Sequence, residues 1–398
     1  MSSGPNFATV FTAMGPALPT LITYVAVWAI ICIAWWIFKG ERFGLTGPPY
    51  YLIYRTVRLN KWIQRIADFK PTFWRTVWNI GVVTGVGLMI LAFDFLGKNL
   101  TLLVVKPQQA GPIQPIIPIP GVGISFQTFP YVAFALSVLL ISHELSHGIA
   151  SLVDHIPLKS TGLLFFHVIF GGFVEPVEEK LNESPRVSRL RVFAAGSYTN
   201  IVLGVLCLFL LANFSATTAM LYTPGGVSIT GLSPTLPAAS SGLRVGDIVT
   251  SINGTRITNV TDLQSYMRTV FPGQRIVVGT PRGSFLIKTA ADPTNSSHAL
   301  MGVEISPAYS PKFAFLSPAY PQEAFETVFW LANVLVSVAF INMLPLPPFD
   351  GAHYLDVILN ALRLKRVKEV QLAFYGLSLA LLSMNLLLSW LRFGFVRL

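Results

Sequence analysis

One stretch limits what this chain can become: Phe134-Ala-Leu-Ser-Val-Leu-Leu-Ile-Ser-His-Glu-Leu-Ser-His-Gly-Ile-Ala-Ser-Leu-Val153. It is apolar enough to cross a bilayer as a helix, which takes about twenty such residues. Yet it holds His143, Glu144 and His147, ionisable side chains that are costly in hydrocarbon and mark function by default. The spacing H-E-x-x-H sets the imidazoles at i and i+4, on one helix face, where both reach one metal ion. Glu144 then stands beside that ion, where a carboxylate can take a proton from acidified water. The bland reading is a hydrogen-bonded histidine pair inside a bundle. It leaves so much polarity at membrane depth unexplained.

Of 398 residues, 53% are hydrophobic and 12% charged, against roughly 25% charged in soluble domains. The chain therefore reads as a polytopic membrane protein. Its net charge of +10 comes from basic residues beside apolar spans, the pattern of cytoplasmic loops, so no nucleic-acid partner is required. Cys32 and Cys207 fall within apolar spans, and no disulfide framework is expected. Met1 to Thr20 lacks a basic n-region, which argues against a cleaved signal peptide.

Apolar length and basic flanks predict about six transmembrane helices, near Leu18–Phe38, Val77–Leu96, Tyr131–Val153, Val192–Ala212, Thr327–Leu344 and Leu372–Leu391. The basic segment from Lys39 to Arg75, the run Lys180 to Arg191 and the cluster Arg363 to Lys368 are placed in the cytoplasm, and both chain ends outside. From Leu102 to Pro130, closely spaced prolines forbid a regular helix. An extended segment is expected there, on the outer surface or against the bundle. Gly162 to Pro176 is too short to span as a helix and is rich in β-forming residues. It reads as a membrane-embedded β-hairpin beside the histidines, with its edge open to an unwound peptide and His167 as a packed or interfacial residue.

Between Tyr222 and Pro311 the composition turns soluble, with glycine turns and short alternating runs. The stretch Leu236-Pro-Ala-Ala-Ser-Ser-Gly-Leu-Arg-Val-Gly-Asp-Ile-Val-Thr-Ser-Ile-Asn-Gly254 and the helix at Thr261–Met267 resemble a PDZ domain. Its peptide-accepting loop is expected at Gly231-Leu-Ser-Pro, and the domain itself outside the cytoplasm, over the outer mouth of the bundle.

Two histidines leave a zinc site incomplete. Asp154, Glu175, Asp350 and His353 are candidates for the third ligand. Asp154 follows the histidine helix too closely. Asp350 lies at the predicted depth of the histidines, where Pro345, Pro347 and Pro348 break the helix and Gly351 permits a tight turn. Its bland alternative is to cap the next helix.

At this point the chain resembles the site-2 protease family of intramembrane zinc metalloproteases. The resemblance rests on His143-Glu-Leu-Ser-His147, Asn342-Met-Leu-Pro-Leu-Pro-Pro-Phe-Asp-Gly351 and the PDZ-like insertion. Gly171-Gly-Phe-Val174 and Arg191-Val-Phe-Ala-Ala-Gly-Ser-Tyr-Thr-Asn200 resemble its eukaryotic and archaeal branch. Many members have proline after the glycine where this chain has Ser197. The resemblance implies Zn2+ bound by His143, His147 and Asp350, with Glu144 as general base and acid. Asn200 and Asn342 would hold substrate backbone or an oxyanion, helix-to-helix hydrogen bonding being their alternative use. It also implies hydrolysis in or near transmembrane segments of membrane-protein substrates already cut by another protease. The lipid bilayer would surround an active site nearer the cytoplasmic side.

The expected organisation is residues 1–127, N-terminal helices and proline-rich outer segment; 128–221, catalytic membrane core; 222–311, PDZ-like α+β domain; and 312–398, C-terminal core with the third ligand. Two rivals stand beside it. A prenyl-protein type of membrane zinc endopeptidase would use a Glu or His third ligand and has no reason for the insertion. A non-catalytic PDZ-bearing scaffold would need no Glu144.

Overall fold

The computed structural model describes residues 18–47, 51–166, 169–292, 295–363, 365–396 and 398. Residues 1–17, which carry most of the signal-peptide expectation, and His167 lie outside these. The chain divides into two compact units, Met1–Leu208 with Thr327–Leu398, and Phe209–Glu326.

The first unit runs through α1 (Leu18–Ile37), α2 (Arg58–Asp68), α3 (Pro71–Val105), α4 (Phe129–Val153), α5 (Glu178–Glu183) and α6 (Arg186–Ala212). The short helices α7 (Phe214–Leu221) and α8 (Val260–Met267) belong to the second unit. The chain then returns through α9 (Tyr320–Asn342), α10 (Asp350–Ala361) and α11 (Val367–Phe393). Among the described residues five helices, α3, α4, α6, α9 and α11, are long and apolar enough to span a membrane. The first expected span, Leu18–Phe38, corresponds to α1, whose apolar stretch Ile22–Ile37 is shorter. Helix α3 overruns its expected limits and reaches 35 residues, about 50 Å at 1.5 Å per residue. No proline interrupts it, and Gly81 and Gly85 lie against Tyr198 and against Met343 and Tyr354, where a side chain would crowd them.

Among the described residues three apolar clusters hold these helices, one of them joining Ala92 and Leu96 of α3 to Leu344; the other two are larger. One joins Ile63 and Ala67 of α2 to Trp78, Ile149, Val153 and Val192. The other joins Leu88 and Met89 of α3 to Ala194, Met343, Tyr354 and Leu355. The α4 C-terminus is locked by Asp154, whose side chain is 5% exposed and receives Arg191 Nη1 at 3.0 Å on both oxygens and Arg75 Nε at 3.5 Å.

The expected hairpin is present as β3 (Leu158–Phe166) and β4 (Ile169–Pro176), antiparallel with Thr161 opposite Val174 and Leu163 opposite Gly172. Sequence reading missed its extension. β1 (Leu45–Thr46) and β2 (Leu52–Thr56), from the basic segment, add to β3 and give the order β1-β2-β3-β4. β4 is thus an edge strand, lying along α4. Helix α2 is tied to β3 by Asn60, which donates to the Leu158 carbonyl at 3.1 Å and accepts from Thr161 Oγ1 at 2.9 Å.

The proline-rich segment packs against the bundle. Asn99 of α3 donates to the Gly111 carbonyl at 3.1 Å and to Asn385 Oδ1 of α11 at 3.0 Å, while Ser389 Oγ accepts from the Ile113 N–H at 3.0 Å. Asn99, Asn385 and Ser389 are buried; the segment gives Asn99 and Ser389 backbone partners, while Asn385 donates to the Leu96 and Leu381 carbonyls at 3.0 and 2.8 Å.

In the second unit β5 (Tyr222–Leu232) lies between β13 (Val303–Pro311) and β6 (Ile248–Val249). A second sheet has the order β10 (Gly283–Lys288), β9 (Arg275–Thr280), β7 (Ser251–Ile252), β8 (Thr255–Arg256), and β11 (Ala290–Ala291) pairs with β12 (Ala299–Leu300). Val227, Ile229, Val249, Ile252, Leu263, Ile276 and Ile287 form its core. Asp247, 6% exposed, is held by Arg282 and accepts the Arg244 N–H at 2.8 Å. A groove of about 330 Å³ runs between β13 and α8, lined by Leu263, Met267, Met301, Gly302 and Ile305. The expected loop at Gly231–Pro234 contributes only Ser233 to that lining. Alternation marks strands, but which strand faces the helix is set by long-range pairing.

Candidate metal centre

Helix α4 presents His143 and His147 to α6, and its partners there determine which ring nitrogens stay available. His147 Nδ1 donates to the Val192 carbonyl at 2.6 Å, which leaves the Nε2 lone pair free. The Asn200 side-chain amide lies 2.9 Å from His143 Nδ1 and can turn its oxygen to accept that ring's proton. Ser146 Oγ meets Thr199 Oγ1 at 2.7 Å on the same interface. Close approach requires Gly196: a Cβ there would stand 2.5 Å from His143 Cε1 and Nε2.

The third residue arrives from the far end of the sequence. After α9, Pro345, Pro347 and Pro348 prevent continuation, and α10 begins at Asp350. Phe349, not Asp350, stands at the cap position of α10, and the Asp350 carboxylate accepts from Asn342 Nδ2. Gly351 is needed for a different reason than expected. Its φ is not positive; instead a Cβ would overlap the Met343 and Leu344 carbonyls.

His143 Nε2, His147 Nε2 and Asp350 Oδ2 form a triangle. The histidines are 3.1 Å apart, and Asp350 is 3.2 Å from His143 and 3.1 Å from His147. A tetrahedral zinc bound at roughly 2.0–2.2 Å to N and O ligands spaces its donors by about 3.3–3.6 Å, so the set fits such an ion with small adjustment. Asn342 Nδ2 donates to Asp350 Oδ2 at 2.7 Å and to Ser197 Oγ at 3.3 Å, and lies 3.2 Å from His143 Nε2. Both asparagines therefore contact the candidate ligands, a use of these amides that sequence reasoning did not consider. Gly196 was also missed as a packing requirement, although it stands in the quoted Ala-Ala-Gly-Ser motif.

Glu144, half-buried, turns toward the hairpin, and its Oε2 accepts the Val174 N–H at 3.1 Å. The other candidate ligands are engaged elsewhere. Asp154 pairs with arginines as above. Glu175 accepts from Lys159 Nζ and Ser160 Oγ, both at 2.7 Å. His353 is exposed and stacks on Phe193 at 5.2 Å. Among the described residues only His143, His147 and Asp350 cluster as a metal-binding group.

Two histidines on a membrane-length helix and one half-buried carboxylate at the start of α10, with a second carboxylate one residue from the first histidine, form the donor arrangement of a membrane metallopeptidase. The model of peptidase family M50 matches residues 131–385, well over half of the chain, and the chain belongs to that family, the site-2 protease family. An uncharacterized protein of Methanocaldococcus jannaschii is 24% identical over 337 residues, 81% of this chain and 82% of that one. The membrane-bound transcription factor site-2 protease homolog of Arabidopsis thaliana is 24% identical over 138 residues, 35% of this chain and 27% of that protein. Among solved structures, the PDZ domain of the SdrC-like protein from Listeria monocytogenes is 22% identical, covering 20% of this chain and 86% of that one, with a TM-score of 0.19. Its Listeria innocua counterpart is 20% identical, covering 20% and 92%, with the same TM-score of 0.19.

Proposed function

We propose that the chain is an intramembrane zinc peptidase of the site-2 type, hydrolysing bonds in or near transmembrane segments of membrane-protein substrates. The observation that carries this is the His143, His147 and Asp350 triangle with Glu144 adjoining it. Zinc there would supply Lewis acidity, making water a stronger acid and drawing charge from a carbonyl oxygen. His143 and His147 would hold it through Nε2 and Asp350 through Oδ2. Asn200, Asn342 and the Val192 carbonyl orient these three, as partners of metal ligands do.

Glu144 takes a proton from water as the water oxygen bonds to the peptide carbonyl carbon. When the C–N bond breaks, Glu144 returns that proton to the leaving nitrogen, giving a carboxylic acid and an amine. The Val174 N–H orients the Glu144 carboxylate. A helical substrate hides its carbonyls in intrahelical bonds, so it must unwind, and the β4 edge offers it strand pairing.

The basic flanks favour a cytoplasmic position for residues near Lys61 and Lys365 and an outer position for residues 222–311. In this reading α1 is a sixth span, the hairpin lies at membrane depth, and the inserted PDZ-like unit discriminates against substrates not already trimmed by another protease. Purified protein tests the central claim. Glu144→Gln should keep zinc and lose cleavage of a transmembrane substrate by roughly 10²–10⁴-fold; undiminished cleavage would remove Glu144 from the mechanism.

A further inference from the structure

Between α2, α4 and the hairpin lies a cavity of about 240 Å³. Leu59 and Trp62 line it from α2, Ile141 and Glu144 from α4, and Leu163 and Gly172 from β3 and β4. Among the described residues its only ionisable wall is Glu144. The Thr161 hydroxyl, also in the lining, is already engaged with the Thr56 carbonyl at 3.1 Å and with Asn60. Leu59, Ile141 and Trp62 are 43%, 45% and 52% exposed, so the chain itself leaves their apolar surface uncovered.

The glycines around the cavity differ in what they require. A Cβ at Gly171 would stand 2.7 Å from Leu140, and one at Gly162 would overlap the Tyr54 carbonyl. Packing demands the second; at Gly171 the contact is the flexible end of Leu140, which can turn aside. At Gly172 a Cβ would meet only the Gly162 carbonyl, at an ordinary 3.6 Å, and φ is not positive. Neither packing nor backbone conformation requires glycine there. What its missing side chain does is leave the cavity open.

Position then suggests the occupant. Successive helix residues turn by about 100°, so Glu144 leaves the ligand face of α4 and points to the hairpin, into the cavity wall. A peptide carbonyl held between the ligand triangle and Glu144 places a flanking side chain here. A cavity of roughly 150 Å³ admits benzene, so this one has room for Leu, Met or Phe.

We propose that this cavity selects the substrate residue adjoining the scissile bond, accepting a large apolar or aromatic side chain, with Trp62 and Gly172 setting its size. The proposal rests on the peptidase reading, and two measurements separate the fates of the two. In the first, purified enzyme cuts transmembrane substrates carrying Ala, Leu or Phe on either side of a mapped bond. The wild type should prefer Leu or Phe over Ala in kcat/KM at one flanking position, by roughly the 10–200-fold an apolar pocket provides. Gly172→Leu should lower the Phe-to-Ala ratio at least tenfold, and Trp62→Ala should raise it. Zinc content reports folding; if Gly172→Leu loses zinc, Gly172→Ala, whose Cβ fits, replaces it. Unchanged ratios in zinc-loaded variants overturn the proposal.

The second measurement needs no chemistry. Trp62→Cys in a Cys32→Ser, Cys207→Ser, Glu144→Gln background is oxidised with substrates bearing one scanned cysteine. Disulfide formation confined to one substrate position supports the pocket; none, or an even spread, overturns it. Confined cross-linking without wild-type cleavage refutes the peptidase reading and leaves a binding pocket. Cleavage with unchanged ratios and no cross-link refutes the pocket alone, and absence of both refutes both.

Discussion

Replacing Gly196 by Ala tests whether α6 positions the first histidine ligand. The added Cβ would lie 2.5 Å from His143 Cε1 and Nε2 and 2.6 Å from Nδ1. Ordinary contact begins near 3.4 Å, so ring or helix must yield by about 1 Å, a displacement that can cost about 10²-fold in rate. His143 is 9% exposed and held by Asn200, so the ring cannot move without loosening that bond. Losing such a partner costs roughly 10–100-fold in metal affinity. Gly196→Ala should therefore weaken zinc binding by about 10–100-fold in chelator competition and cut kcat/KM on a transmembrane substrate by about 10²-fold. Gly87→Ala and Gly97→Ala are the controls. Nothing lies within 4 Å of a Cβ at either, and alanine at a helix interior is favoured by roughly 0.5–1 kcal/mol. If Gly196→Ala matched these controls in zinc affinity and turnover, the close-approach reasoning would be wrong.

Asp350→Ala should lower zinc occupancy at least as much as loss of an outer partner does, roughly 10–100-fold; full retention by metal analysis would point instead to Glu175 or His353. In the inserted unit, the hydrogen bond from the Arg282 guanidinium holds the Asp247 carboxyl below its usual range. A depressed folded pKa stabilises above the unfolded value, near 3.9, and that stability is lost as pH falls through the folded one. Hydrogen-exchange protection at the Ile229 and Val249 amides should thus fall more steeply below about pH 4 in wild type than in Asp247→Asn; equal slopes would refute the linkage. Single cysteines at Lys61 and Lys365, in a Cys32→Ser, Cys207→Ser background, should label from the cytosol, and one in residues 222–311 from outside; labelling of the insertion from the cytosol alone sinks that topology. Replacing Gly226 to Pro311 by a short flexible linker should keep zinc and cleavage of short substrates while relaxing discrimination against intact outer domains. Unchanged discrimination with all cleavage abolished would assign the unit to assembly or capture.

What was legible in the sequence was mostly local. The i, i+4 histidines, the proline break after Asn342 and the glycine-bounded hairpin are each written within a few residues, and each is found in the fold. What was missed depends on partners far along the chain. β1 and β2 lie in a segment whose charge dominates its reading, and Leu52–Thr56 becomes a strand because β3 pairs with it. Gly196 resembles any helix glycine until α4 is laid against it. Asn200 and Asn342 carry polarity that is visible in the sequence, but its direction toward His143 and Asp350 is settled by packing. The groove of the inserted unit was legible only at its Ser233 loop for the same reason: β13 is brought to α8 by pairing with β5.

The ligand set also has a consequence in time. Asn342 lies 199 residues beyond His143, with Asp350 further still, so at synthesis rates of roughly 5–20 residues per second about 10–40 s separate their appearance. The inserted unit is made entirely within that interval. While it is being made, both histidines and Glu144 exist without the carboxylate that completes the triangle. The triangle can close only after α10 is made, so its geometry is assembled once the inserted unit is complete and not while α4 is being inserted.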